Sequence, residues 1–172
     1  MPRLPVLRVQ TSPREEYYNY VRRLPPKPAC EVIFKYFFPG CNDVYALLSE
    51  AFFKEQYNRW MTLAHDILPK KGARHLPDDI RCFPALLFQV IAVTLQFISD
   101  LHEPLLDELR YGSQTFAELS REYSDCGVAL AEICNRLKLT FIGVQHNFMR
   151  GFWLRNSGNI IGAWNHSGET VR

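Results

Sequence analysis

Apolar residues recur along most of this chain at intervals of three and four, the spacing that lines up one face of a helix. Arg14 to Arg23 reads as a short helix, which Leu24-Pro25-Pro26-Lys27-Pro28 then stops, because prolines restrict the residues before them and supply no backbone donor. Over residues 29–38 the set Val32, Ile33, Tyr36 and Phe37 predicts one apolar helix face, with Pro39-Gly40 as its end. Residues 43–48 form a short connector, ambiguous between strand and coil. Ser49 offers an N-cap hydroxyl for a helix from Glu50 to Ile67. Its stripe is Phe52, Phe53, Tyr57, Trp60, Met61 and Ala64, with Lys54, Glu55, Asn58 and Arg59 opposite.

A polar loop is expected over residues 69–79, and Pro84 suits the first position of the next helix, where its missing N–H costs nothing. The most apolar stretch follows at 85–98, interrupted only by Gln89, Thr94 and Gln96. As a helix it would span ~21 Å, short of a ~30 Å hydrocarbon core, so a buried helix is expected and no membrane span. A second loop covers about 100–112, with a helical turn near 105–109. Ser113 is a candidate cap for a long helix ending near Leu137, whose face is Phe116, Leu119, Tyr123, Cys126, Leu130, Ile133, Cys134 and Leu137. Thr140 caps the next, with Phe141, Val144, Phe148, Phe152 and Leu154 on one side and Asn156-Ser157-Gly158 as its stop. Ile160, Ile161, Trp164 and Gly168 begin a last helical pattern. No segment alternates with a period of two. The expectation is an all-α chain of six or seven helices, with 1–23 a partly irregular leader and 24–172 one helical domain.

Composition adds limits rather than an activity. With 172 residues, 47% of them hydrophobic, a core can form without staples. A net charge of +2 and a pI near 8.3 argue against holding nucleic acid by bulk electrostatics. Lys70, Lys71 and Arg74 share their loop with Asp78 and Asp79 and read as solvated. No apolar run of a secretory signal follows Met1, so Asn165-His166-Ser167 is a chance match to the glycosylation sequon. Cys30, Cys41, Cys82, Cys126 and Cys134 lack C-x-x-C spacing and read as reduced, mostly buried thiols.

His65, His75, His102, His146 and His166 show no H-x-x-x-H pair and are expected on the surface or facing a partner; His102-Glu103-Pro104 lacks the second His of a zincin. Cys134 with His146 would suit a nucleophile pair, yet nothing in the sequence brings them together. Phosphate-cradling glycine loops and Gly-x-Ser-x-Gly are absent, and the carboxylates of Asp78-Asp79 and Glu15-Glu16 are adjacent rather than on one helix face. The residues name no catalytic group, no cofactor and no metal ligand.

The order of segments nevertheless resembles a known family. Cys30-Glu31-Val32-Ile33-Phe34-Lys35-Tyr36-Phe37-Phe38, then Pro39-Gly40-Cys41-Asn42, and then the helix carrying Phe53 and Tyr57 are similar to the opening of the fungal-specific transcription factor domain. That domain is the middle homology region of fungal zinc-cluster regulators. Ala85-Leu86-Leu87-Phe88 and Ile91-Ala92-Val93 resemble its next helix. Val144-Gln145, Phe152 to Gly158, and the segment Ala163-Trp164 through Gly168 to Arg172 resemble its later motifs. The likeness runs over about residues 24–172.

It implies a nuclear, non-enzymatic regulatory domain that modulates transcription through protein partners or a small-molecule effector. Zinc and direct DNA reading do not carry over, because the six-cysteine cluster of the family is missing; DNA would be reached only indirectly. Family members continue past the Trp…Gly…Arg segment with further helices, so the chain is expected to be the first part of such a domain. Aromatic faces left uncovered would then favour self-association. Trp164 would anchor one helix on another, Gly168 would allow close approach, Gln145 would need a buried partner, and Arg172 could pair with a carboxylate. The alternatives are a small helical enzyme or enzyme-accessory protein with an unidentified site, and a fragment that does not fold alone.

Overall fold

The computed structural model describes residues 12–98, 102–134 and 140–170, and among these there is no strand. Seven helices of more than one or two turns follow in order: α1 (Pro13–Val21), α2 (Lys27–Tyr36), α3 (Glu50–Ile67), α4 (Asp78–Phe97), α5 (Phe116–Ile133), α6 (Phe141–Asn156) and α7 (Ile160–Thr170). The all-α expectation holds.

Helix α4 is the axis of the molecule. Every residue from Phe83 to Leu95 is buried, because α5 and α6 cover one side while α2 and α3 cover the other. The helix begins at Asp78, six residues before Pro84, which therefore lies inside it. Pro84 denies the Ile80 carbonyl its usual partner, a change worth about 3 kcal/mol in an exposed helix. Burial on all sides, and two aspartates in the positively polarised first turn, outweigh it here. At 20 residues α4 is long and apolar enough to cross a membrane, against the shorter span expected from 85–98; 78% of its most apolar window is instead buried inside the protein.

Helix α2 also departs from expectation at its end. The backbone runs through Pro39-Gly40 as a π-helical segment, Phe37–Asn42. A wider turn relieves the clash between a proline ring and the carbonyl four residues earlier. The buried face is Ala29, Cys30, Ile33, Phe34, Phe37, Phe38 and Cys41, while Val32 and Tyr36 are only partly covered. Asn42 then closes the connector: its side-chain amide donates to the Leu48 carbonyl (2.9 Å) and its oxygen accepts from the Leu48 N–H (2.7 Å).

Ser49 caps α3 as expected, accepting from the Phe52 N–H. Phe53 and Tyr57 meet Phe34 edge to face at 5.2 and 5.0 Å, and Phe53 also touches Phe83, so one aromatic cluster joins α2, α3 and α4. Met61, expected on this stripe, is exposed, and Gln56 is buried in its place. Helix α1 belongs to the same core although residues 1–23 read as a leader. Tyr17 is 1% exposed and its hydroxyl donates to the Arg81 carbonyl on α4 (2.9 Å).

Helix α5 is capped by Thr115, with Glu118 reaching back to the Thr115 N–H, and Ser113 plays no part. The helix ends at Ile133; Leu137, placed on its face from the sequence, lies outside the described residues, as does Arg172. Thr140 caps α6, and Gly158, with φ of 79°, ends it in the left-handed conformation. The buried face of α6 is Ile142, His146, Met149, Phe152 and Trp153. Phe141, Val144 and Phe148, expected on one side with Phe152, face outward while Phe152 is buried. Apolar residues occur on both sides of this helix, so periodicity alone could not select the inner one.

Candidate functional site

The polar residues that sequence patterning scattered over three helices are brought together at one seam. Helices α4 and α5 run antiparallel, with Ser120 opposite Ala92, Ser124 opposite Gln89 and Gly127 opposite Ala85. Gln89 is wholly buried; its amide nitrogen donates to the Ser124 carbonyl (2.9 Å) and its oxygen accepts from the Ser124 hydroxyl (2.7 Å). Helix α6 closes the seam from the other side. The Trp153 indole N–H donates to the Ser120 hydroxyl (2.8 Å), which itself donates to the Ala92 carbonyl (2.7 Å). Arg150 donates to the Ser124 hydroxyl, pairs with Asp125 at 3.5 Å and lies over the Trp153 ring at 4.6 Å.

His146 completes the set, buried rather than on the surface as expected. Its Nε2 lies 3.3 Å from the Gln89 amide nitrogen, which can only donate, so Nε2 is the bare, accepting nitrogen. The proton therefore sits on Nδ1 and is donated to the Asn147 side-chain oxygen at 3.2 Å. Burial pushes the imidazole down to about 4, with the Asn147 hydrogen bond opposing and the His166 and Arg150 charges assisting. The ring is neutral at physiological pH.

This arrangement orders three helices; it does not activate a nucleophile. Both serine hydroxyls are already donating, and the accepting nitrogen of His146 faces Gln89 and no hydroxyl or thiol. Cys134 and His146 have separate partners. The Cys134 thiol donates to the Arg81 carbonyl (3.4 Å), next to Cys82 in the chain. Of the remaining histidines, His65 lies beside Asp66, His75 is exposed and His102 sits on Asp107 at 2.8 Å, while His166 lies against the Asn147 carbonyl at 3.1 Å, close to His146. Among the described residues no group of His, Cys, Asp and Glu could hold a metal ion. Two surface clefts, of about 570 and 660 Å3, are lined by neither His nor Cys; the first lies along Tyr111, Gln114, Glu118 and Arg121, the second along Glu31, Phe38, Asp43 and Lys54.

The most conspicuous surface is apolar. Phe141 (60% exposed) and Phe148 (57%) point outward on α6, and Ile160, Ile161 and Trp164 (80%) point outward on α7, the helix packed beside it. Trp164 anchors nothing, contrary to expectation, because α7 packs chiefly on α6 and turns its indole outward. Gln145 is half-buried, and its side-chain oxygen is enclosed without a hydrogen-bond partner. Phe52 extends this surface onto α3 through an edge contact with Phe141 at 5.4 Å.

Comparison of the chain with protein-family models, with curated proteins and with solved structures finds no match.

Proposed function

We propose that the chain is a non-enzymatic helical regulatory domain of the kind found in fungal zinc-cluster transcription factors, working in the nucleus through protein contact. The observation that carries this reading is the exposed apolar face of α6 and α7. Phe141, Val144 and Phe148 follow one another at three- and four-residue spacing, and Ile160, Ile161 and Trp164 stand exposed on the next helix. A surface of this kind suits the apolar face of a partner helix, because aromatic and branched side chains at that spacing interdigitate with a matching row. The chain's internal polar chemistry supports the same reading, since the Gln89 seam is spent on joining helices.

The experiment is a reporter assay in yeast with the chain fused to a heterologous DNA-reading module. The fusion should change reporter output relative to the module alone, and Phe148→Glu with Trp164→Glu should abolish the change. The isolated chain should not bind promoter DNA. Output equal to that of the module alone, or sequence-specific nanomolar DNA binding by the isolated chain, overturns the reading.

A further inference from the structure

We propose that Cys82 and Cys134 are a redox-responsive thiol pair, converted by a hydroperoxide into a disulfide that ties the first turns of α4 to the end of α5. The antiparallel register that sets Ser120 against Ala92 and Gly127 against Ala85 carries on to the end of α5. There it brings Cys134 onto the Arg81 carbonyl, at 3.4 Å. Cys82 is the next residue along α4, so the Cys134 sulfur lies against the turn that carries it. They are 52 positions apart in the chain, so the contact is made by helix packing alone.

The two sulfurs are not equivalent. Cys82 is part-exposed, whereas Cys134 is 3% exposed, so a small oxidant in solution meets Cys82 first. The neighbouring Cys134, assisted by the Arg81 charge, holds the Cys82 thiol below its ordinary value against burial, Asp78 and Asp79. The same contact, together with burial, pushes Cys134 far up. Exposure thus sets Cys82 as the sulfur that meets the oxidant and Cys134, behind it, as the resolving thiol. The other cysteines are buried; burial pushes Cys30 and Cys41 up to about 11 and also raises Cys126.

The chemistry balances in two steps. With hydrogen peroxide the Cys82 thiolate attacks one oxygen, an S–O bond forms as the O–O bond breaks, and the departing hydroxide takes up the proton that Cys82 released and leaves as water, giving a sulfenic acid. Cys134 then attacks that sulfur; an S–S bond forms, the S–O bond breaks, and the departing hydroxide takes the Cys134 proton as a second water. Two thiols are oxidised and one hydroperoxide is reduced.

The test uses the full reduced chain and hydrogen peroxide, followed by non-reducing peptide mapping. The expected product is a Cys82–Cys134 cross-linked peptide pair with the other three cysteines still free, reversed by a dithiol. In Cys134→Ser the sulfenic acid on Cys82 should persist and be trapped by dimedone. Before oxidation, Cys82 should be alkylated by iodoacetamide about tenfold faster than Cys41. Alkylation of Cys82 no faster than Cys41, or a disulfide mapped to any other pair, overturns the proposal; both readouts come from the unmodified sequence and need no variant to fold.

Discussion

Gly127 and Gln89 face each other so closely that a Cβ on Gly127 would stand 2.7 Å from the Gln89 amide nitrogen and 3.0 Å from the Ala85 carbonyl oxygen. The absence of a side chain there lets α5 settle onto α4 and lets Gln89 reach Ser124 and His146 at once. Gly127→Ala should therefore lower unfolding stability by about 1–3 kcal/mol in urea titration, despite the better helix propensity of alanine. An unchanged or raised midpoint would mean that the two helices are not held this close.

His146 predicts an acid-side loss of stability at unusually mild pH. Its folded value, about 4, lies below the ordinary 6.5, so the unfolded chain takes up the proton first. The contribution is complete above about pH 6.5 and is lost as pH falls toward 4. Between about pH 7.5 and pH 5 the loss is about 2 kcal/mol. Glu15 and Glu118, lowered by hydrogen bonds at their helix caps, act only below their ordinary 4.5 and leave this window to the histidine. His146→Gln should flatten the stability–pH profile there, measured by urea midpoints; a profile as steep as that of the unmodified chain would contradict the buried neutral ring.

Two tryptophans eleven residues apart should behave oppositely. Trp153 is 6% exposed and bonded to Ser120, so Trp153→Ala should cost about 3–5 kcal/mol by thermal melting. Trp164 is 80% exposed, and Trp164→Ala should stay within about 0.5 kcal/mol. Comparable losses at both positions would place Trp164 in a contact that the fold does not give it.

The start of α5 supplies a further contrast. Thr115→Ala removes the hydroxyl that accepts the Glu118 N–H and should cost about 1 kcal/mol, while Ser113→Ala should be neutral. Chemical denaturation of the two variants side by side distinguishes the caps.

Much of the framework was legible because its signals are local. Ser49, Thr140 and Gly158 mark helix ends by chemistry that acts within four residues, and α3 runs between the expected bounds. Thr115 carried the same kind of signal, a Thr followed three residues later by Glu, and outranks Ser113 once that pairing is considered. Pro84 misleads because a proline's preference for a first turn is weak beside the burial of a whole helix. The seam was not legible. Gln89 reaches Ser124 across 35 residues and His146 across 57, and no periodicity records a partner at that distance. Helix α6 shows the same difficulty from the surface side: only docking on α4 decides that Met149 goes inward and Phe148 outward.

Among the described residues helix α7 packs chiefly on α6, and His166 on the Asn147 carbonyl is one polar link between them. Its packing on α4, α5 and the aromatic cluster is slight among the described residues, so its release should leave those elements in place. Local opening of this kind makes a separate cooperative unit. In native-state hydrogen exchange the amides of residues 160–170 should exchange together, at a free energy well below that of the α4 amides. The segment bearing Trp164 can thus detach and reseat while the rest of the fold stays intact.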